Sequence, residues 1–159
     1  MKIIAPLLFF ILTAAPAWAE PFTGGLATLE LPSGWTADYE RDGIDLVTLT
    51  APDQGCRVVI LLGPAVGLDT KGGAEMLARK MGRATAPEPV PGRDTYRFFS
   101  EAKEGRRMEV TVFVHDTAMM GWAQSGETEA WAGDLKTIWN SLSSQAPKFQ
   151  ALFEGLYKL

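Results

Sequence analysis

The chain has 159 residues, of which 47% are hydrophobic, and its formal net charge is −4 at pH 7. This length and composition fit a single globular domain. The acidic balance argues against binding to nucleic acid, which needs clustered Lys and Arg, and against docking on an anionic lipid surface.

Residues 1–19 are typical of a secretory signal peptide. Lys2 gives a short positive start, an apolar run follows, and small residues stand at Ala17 and Ala19. The apolar run is short for a membrane helix, which needs about 20 residues. We therefore expect cleavage between Ala19 and Glu20, a periplasmic or secreted mature protein, and no membrane span after cleavage.

Residues 26–63 show the alternation and the turns of a group of antiparallel strands. The stretch "LPSGW" at residues 31–35 predicts a tight turn after the first strand, with Trp35 starting the next strand as a core or turn-packing side chain. Asp42 and Gly43 predict a two-residue hairpin. The last strand of the group, "CRVVILLG", is the most apolar and is expected near the centre of the sheet.

A helix is predicted next, capped by Asp69 or Thr70 and running through Met81, with apolar residues at steps of three and four. Residues 86–92, "APEPVPG", contain too much proline for a helix or an inner strand. They are expected to cross the surface as an extended connector.

Three more strands are predicted over residues 93–125. In the second of them Met108 and the valines that follow are expected to point inward, and Glu109, Thr111 and Phe113 outward. A last helix is predicted over residues 127–142. The elements together predict an α+β fold at residues 20–144: a mostly antiparallel sheet of six to seven strands flanked by helices, an α/β/α sandwich.

The residues that could carry catalysis are few. Cys56 is the single cysteine and His115 the single histidine, and they stand far apart in the chain. "LPSGW" is not a nucleophile elbow, because no glycine stands two residues before Ser33. A structural zinc site needs more Cys and His than this chain has. We therefore predict no enzyme activity, no catalytic residue, no metal site and no cofactor.

The acidic residues near the predicted hairpin raise the alternatives of a calcium site and of solvated turns. Glu40, Asp42 and Asp45 cluster there, and Asp53 stands on the next turn. Their spacing does not supply the alternating carboxylates, the sixth-position glycine and the twelfth-position glutamate of a calcium-binding loop. The acidic residues are therefore expected to be solvated.

Aromatic residues offer the better binding candidates. Trp122 follows Met119, Met120 and Gly121, a combination that makes an adaptable surface when exposed and a sheet face under a helix when buried. Trp122 and Tyr96 are the candidate lining of a ligand pocket between sheet and helix.

The C-terminal tail, residues 145–159, has the pattern of a short amphipathic helix. Its apolar side chains recur at steps of three and four, and they are Phe149, Leu152, Phe153, Leu156 and Tyr157. Two interpretations remain open: the tail packs inside the protein and closes the domain, or it docks on a partner.

The order of these pieces, with "LPSGW" after the first strand and "IWNSL" in the last helix, resembles the PsbP-like and DcrB-like superfamily of α/β sandwiches over residues 26–142. The resemblance implies an antiparallel sheet with helices on both sides and mostly non-enzymatic binding or assembly roles. It brings no catalytic residue with it.

The function expected from the sequence is that of a secreted, non-enzymatic interaction or accessory module of the bacterial envelope, with an unknown envelope protein as partner. One alternative is a small-ligand carrier with an aromatic-lined pocket. Another is a periplasmic inhibitor or immunity protein, which the sequence does not separate from the first.

Overall fold

The computed structural model describes residues 19–101 and 105–156. The predicted signal peptide, apart from Ala19, lies outside these residues. In chain order the elements are β1 (Glu20–Gly24), β2 (Ala27–Leu31), β3 (Thr36–Arg41), β4 (Asp45–Thr50), β5 (Cys56–Pro64), α1 (Thr70–Met81), β6 (Glu88–Pro89), β7 (Tyr96–Glu101), β8 (Arg107–His115), β9 (Ala118–Gly126), α2 (Ala132–Ser141) and α3 (Pro147–Leu156).

Seven of these strands form one antiparallel sheet in the order β3-β4-β5-β9-β8-β7-β6. Strands β1 and β2 form a separate antiparallel hairpin. Helix α1 packs on one face of the large sheet, and α2, α3 and the hairpin pack on the other. The predicted α+β fold with helices on both sides of a mostly antiparallel sheet is confirmed.

Each face of the sheet has its own apolar core. On the α1 face the core includes Leu61, Leu77, Phe98 and Val110. On the α2/α3 face it includes Ile60, Val58, Trp35, Trp122, Ile138, Phe149 and Phe153. Because strand side chains alternate between the faces, the inner strands are buried on both sides and their sequences read as nearly continuous apolar runs. The most apolar strand, β5, accordingly lies next to the central strand β9.

Helix α1 forms where the sequence predicts it. Asp69 is its N-cap, and the Asp69 Oδ1 atom accepts a 2.7 Å hydrogen bond from the backbone N–H of Gly72. This bond satisfies one of the N–H groups that the first helical turn leaves unpaired. Gly82 ends the helix with a positive φ of 63°, a backbone conformation that glycine adopts without strain.

Four details of the predicted fold are wrong. The hairpin between β3 and β4 has a three-residue loop, residues 42–44, in place of the predicted two-residue loop, because Arg41 pairs with Asp45. Two other differences concern element boundaries. A strand, β1, precedes the one expected to be first and pairs with it through the turn at Gly24 and Gly25. The helix predicted from residue 127 begins at Ala132, because hydrogen bonds between residues three apart form turns over residues 127–132.

The fourth difference concerns Phe113, which the alternation of β8 predicts to face outward and which is instead buried. Its ring centroid lies 5.6 Å from that of Trp139 on α2. The α2/α3 face of β8 is covered at this position, so an apolar side chain is accommodated there as on the α1 face.

Helix α3 belongs to the same core as the sheet. The side chains of Phe149, Leu152, Phe153 and Leu156 are buried on the α2/α3 face. Within residues 19–101 and 105–156, no helix has the length and the apolar character needed to cross a membrane.

Candidate functional site

An open cleft of about 320 Å³ lies on the α2/α3 face of the sheet. We name it the tryptophan cleft. Its lining residues are Arg93, Thr111, Phe113, Trp122, Gln124, Trp139 and Leu156.

The lining of the tryptophan cleft comes from several elements that meet above the centre of the sheet. Strand register places Trp122 of β9 directly beside Thr111 of β8. Helix α2 supplies Trp139, and the last residue of α3, Leu156, supplies an aliphatic wall. The two helices leave this part of the sheet open between them, so the cleft follows from the way they pack.

The aromatic side chains of the tryptophan cleft hold each other in fixed orientations. The rings of Trp122 and Trp139 lie with centroids 5.0 Å apart at 81°, an edge-to-face contact. Trp122 is 7% exposed, and its indole Nε1 donates a 3.1 Å hydrogen bond to Oε1 of Gln124. The cleft therefore offers a preformed apolar wall that an incoming ring or aliphatic group can contact.

The rim of the tryptophan cleft is polar. Arg93 is exposed on the loop before β7, and Thr111 and Gln124 are half-buried on the sheet. An apolar wall with a few polar groups at its edge is the usual composition of a ligand or partner pocket. Arg93 adds a positive charge, which favours an occupant that carries an anionic group.

The structure brings together only some of the residues that the sequence indicated. Trp122 and Leu156 both line the tryptophan cleft. Tyr96 does not approach Trp122, because it pairs with Val112 and therefore lies on the α1 face, opposite to Trp122. A pocket that combines Trp122 with Tyr96 is excluded by this register.

The tail residues Phe149, Leu152 and Phe153 lie inside the core under α3. In this structure the tail closes the domain, and docking of the same apolar stripe on a partner would require α3 to leave the sheet. Tyr157, the last residue of the predicted stripe, lies outside the described residues.

Sequence reasoning missed five members of the site, which are Arg93, Thr111, Phe113, Gln124 and Trp139. The usable signal was Phe113, a large apolar residue on the side of β8 that otherwise carries polar residues. Arg93 gave no signal, because an arginine in a loop is ordinary and its position beside the tryptophans depends on the folded register.

Cys56 on β5 and His115 on β8 lie beside opposite ends of β9. Cys56 pairs with Gly126 and His115 with Ala118, so about 27 Å of strand separates them at 3.3–3.4 Å per residue. Cys56 is buried, and its pKa is raised by desolvation and, to a lesser degree, by the charge of Asp53. A thiolate–imidazole pair between these two residues is therefore excluded.

The acidic cluster near the β3–β4 hairpin is held by other partners. Asp45 accepts a 2.8 Å hydrogen bond from the backbone N–H of Leu26 and lies 3.5 Å from Nε of Arg41. Asp42 lies 3.6 Å from Nζ of Lys80 on α1. Among the residues that the structure describes, no group of three or more His, Cys, Asp or Glu is placed to hold a metal ion.

Comparison with solved structures finds chains of similar fold. No protein-family model matches the chain, and no match is found among curated proteins. The chain is similar to the solution structure of cyanobacterial PsbP (CyanoP) from Synechocystis sp. PCC 6803, at 9% identity, over 83% of this chain and 95% of that one, with a TM-score of 0.49. The predicted resemblance is confirmed as a weak one.

Proposed function

We propose that the protein is a non-enzymatic binding module of the bacterial envelope that holds an aromatic or apolar group in the tryptophan cleft. The observation that carries this proposal is the cleft itself, with Trp122, Trp139 and Phe113 on its walls and Arg93 at its rim. Export to the envelope rests on the signal-peptide pattern of residues 1–19.

The size and the composition of the tryptophan cleft support binding of a small group. Its volume of about 320 Å³ is at the lower end of the range of roughly 300–1,000 Å³ found for ligand pockets. Tryptophan in a largely desolvated setting contributes strongly to binding, because its large rigid surface loses little conformational entropy. The proposed occupant is therefore one ring or one branched aliphatic side chain.

The non-enzymatic part of the proposal is supported by what surrounds the cleft. None of the seven lining residues is a cysteine, a histidine or a carboxylic acid, so the lining offers no conventional nucleophile–base pair. Thr111 contributes a hydroxyl, but no general base is among the lining residues. The cleft suits recognition better than bond-breaking chemistry.

The small-ligand carrier remains the second candidate, because the same cleft would serve it. In that function the ring belongs to a free ligand, whereas in an interaction module it belongs to a side chain of another protein. The periplasmic inhibitor or immunity protein is a special case of the interaction module. All three candidates require the tryptophan cleft to be open and to accept an aromatic group.

NMR spectroscopy of the purified protein with N-acetylphenylalanine amide as a neutral aromatic probe tests this requirement. We expect the probe to shift the indole N–H signals of Trp122 and Trp139. The signals of Trp35 and Trp131, which contact each other with centroids 5.6 Å apart, serve as internal references and are expected to stay in place.

Substitution Thr111→Met fills the tryptophan cleft from the sheet without removing a core atom, and we expect it to abolish the shifts. Thr48→Met is the matched control, because Thr48 is also a half-buried strand threonine but lies on the α1 face. Absence of any shift in the original protein, or shifts that persist in Thr111→Met, would overturn the proposed function.

A further inference from the structure

Strand β3 forms one edge of the seven-stranded sheet and, among the described residues, pairs with β4 alone. The opposite edge, at β6, contains Pro89 and is flanked by Pro87 and Pro91. Proline lacks a backbone N–H and therefore blocks pairing along an edge. Strand β3 contains no proline, and five of its six residues are exposed. Of the two edges, β3 is the one that can accept a further strand.

The hydrogen bonds of the β3–β4 hairpin show which backbone groups of β3 point to the open edge. The backbone N–H of Asp42 donates a 3.0 Å hydrogen bond to the carbonyl of Ile44, so the adjacent pair, Arg41 with Asp45, is a non-hydrogen-bonded pair. The two kinds of pair alternate along antiparallel strands. Every second residue of β3, counted back from Arg41, therefore points its N–H and C=O groups away from β4. These residues are Ala37, Tyr39 and Arg41.

Asp38 and Glu40 give the α1 side of this edge a negative charge. Both side chains are exposed. Their cross-strand neighbours on β4 are Thr48 and Leu46, which carry no charge. Within residues 19–101 and 105–156, neither carboxylate forms a salt bridge. The two charges are therefore not balanced by the strand beside them.

Basic side chains close to β3 are engaged with other carboxylates. Nζ of Lys80 on α1 lies 3.6 Å from Asp42, and Nε of Arg41 lies 3.5 Å from Asp45. Arg57 is also on the α1 face, but it stands on β5, two strands from β3, which is about 10 Å at roughly 4.8 Å per strand. The negative charge of Asp38 and Glu40 therefore remains available to an added strand.

The α2/α3 side of the same edge offers an apolar contact. Tyr39 is 40% exposed, and it is one of two exposed large hydrophobic side chains among the described residues. Its ring lies close to Gly25 in the turn of the β1–β2 hairpin, where a side chain on Gly25 would collide with it. The hairpin therefore supports one side of the ring and leaves the other side to an occupant of the edge.

A second copy of this chain is a poor occupant of the edge. Antiparallel pairing of two β3 strands sets residues whose side chains share a face opposite each other. Pairing centred on Asp38 places that residue opposite itself, and pairing centred on Tyr39 places Asp38 opposite Glu40. Like charges directly opposite each other are destabilising. The edge therefore disfavours its own sequence and favours a strand with basic residues at alternate positions.

We propose that β3 binds an extended segment of a partner protein by strand addition, and that this segment has basic residues at every second position with apolar residues between them. In an antiparallel addition, Asp38 and Glu40 fall at non-hydrogen-bonded pairs, where side chains approach most closely. The basic side chains stand opposite these two carboxylates, and an apolar side chain contacts Tyr39. The proposal is independent of the tryptophan cleft, because β4 and β5 separate β3 from β9.

NMR titration with two capped peptides of about seven residues tests the proposal. The lysine peptide alternates lysine and valine, and the glutamate peptide has glutamate at every lysine position. We expect the lysine peptide to bind at least about tenfold more tightly, because opposite charges replace like charges at two cross-strand pairs. It should shift the backbone N–H signals of Ala37, Tyr39 and Arg41, and leave the indole signals of the tryptophan cleft in place.

Two methylated forms of the lysine peptide separate strand addition from simple attraction between a basic peptide and an acidic protein. In the proposed pairing the valines stand opposite the outward-pointing residues of β3, so their N–H groups bond to the strand. Methylation of the valine nitrogens is therefore expected to abolish binding. Methylation of the lysine nitrogens leaves the same charge and changes only the far edge of the peptide, so binding is expected to persist.

The double substitution Asp38→Asn with Glu40→Gln removes the charge of the edge and keeps the size of both side chains. We expect it to weaken binding of the lysine peptide at least about threefold. Asp94→Asn with Glu129→Gln removes the same charge at exposed positions away from β3 and is expected to leave the affinity unchanged.

Each contrary result overturns a stated part of the proposal. Equal binding of the two methylated peptides overturns strand addition, and equal binding of the lysine and glutamate peptides overturns the selection for basic residues. Absence of any shift in β3 overturns both. Shifts of β3 that depend on protein concentration without peptide would overturn the proposal in favour of pairing with a second copy. None of these results affects the proposed function, which is tested on Trp122 and Trp139.

Discussion

The indole Nε1 of Trp35 donates a 2.8 Å hydrogen bond to Oδ2 of Asp134, a residue 99 positions later in the chain. Trp35 also contacts Trp131 edge to face, with ring centroids 5.6 Å apart. Asp134 stands in the first turn of α2, where a negative charge is favoured by the helix dipole. One carboxylate therefore joins the turn after β2 to the start of α2.

Substitution Asp134→Ala is expected to lower the free energy of unfolding by about 1–3 kcal/mol, because it leaves the buried indole N–H of Trp35 without its charged acceptor. Asp134→Asn should cost less, since it keeps an oxygen acceptor. Urea unfolding followed by circular dichroism measures both values. Glu129→Ala, in the exposed turn before α2, is the control with an expected change within about 0.5 kcal/mol.

An equal loss of stability in Asp134→Ala and Glu129→Ala would contradict a specific role for the Trp35 hydrogen bond. A loss confined to Asp134→Ala would instead show that "LPSGW" marks a structural junction.

Local features of the sequence predicted local structure well. The hydrogen bond from Gly72 to Asp69 spans three residues, so the sequence alone indicated the start of α1. The contact between Trp35 and Asp134 depends on how α2 packs over the sheet, and no local pattern contains that information. The same difference explains why Trp122 could be chosen as a candidate while Arg93, which reaches the cleft only in the folded register, could not.

Trp122 and Tyr96 lie on opposite faces of the sheet, which illustrates a second limit of prediction from sequence. The sequence predicts how side chains alternate within one strand. Whether residues of two strands share a face depends on the register between the strands, and a shift of one residue moves a side chain to the other face. Tyr96 pairs with Val112, whereas Trp122 pairs with Thr111. This one-residue offset separates the two aromatic side chains across the sheet.

The burial of α3 predicts that the C-terminal tail contributes to stability. Phe153 is fully buried among the α2/α3-face core, so Phe153→Ala is expected to lower the free energy of unfolding by about 3–5 kcal/mol. The neighbouring Glu154 is exposed, and Glu154→Ala should change the free energy of unfolding by less than about 0.5 kcal/mol. Thermal and urea unfolding of the two variants provide the comparison. Similar stability of both variants would mean that α3 is not held on the sheet.

Thr95 and Ser100 carry buried hydroxyls, and removing one or the other is expected to change the free energy of unfolding in opposite directions. Thr95 is 1% exposed, and its Oγ1 has no hydrogen-bond partner among the described residues, whereas the hydroxyl of Ser100 donates a 3.2 Å bond to the carbonyl of Gly82. Thr95→Val removes an unpaired polar group and should raise the free energy of unfolding by up to about 1 kcal/mol. Ser100→Ala should lower it by about 1 kcal/mol. Destabilisation by Thr95→Val would point to an ordered water on that hydroxyl.

Tyr39 is expected to titrate above its usual range. Its pKa is raised first by desolvation and then by the charge of Asp45 and a hydrogen bond to it, while Arg41 acts in the opposite direction. Because the fold favours the neutral phenol, the stabilisation is fully present below the unfolded pKa of about 10 and is lost as the pH rises through the folded value. Ultraviolet difference titration of the protein against Tyr39→Phe should give a midpoint above about 10. A midpoint at or below that of free tyrosine would contradict the contact with Asp45.

Cys56 is expected to be unreactive in the folded protein. Its side chain is fully buried on β5, and desolvation raises its pKa, so neither access nor thiolate formation favours reaction. Ser33→Cys places a second thiol in the exposed turn after β2 and serves as the reference. At pH 8 we expect a disulfide reagent to modify this introduced thiol at least about a hundredfold faster than Cys56, which reacts only when the core opens. In urea the two rates should converge, and comparable rates in the native protein would mean that the end of β5 is open to solvent.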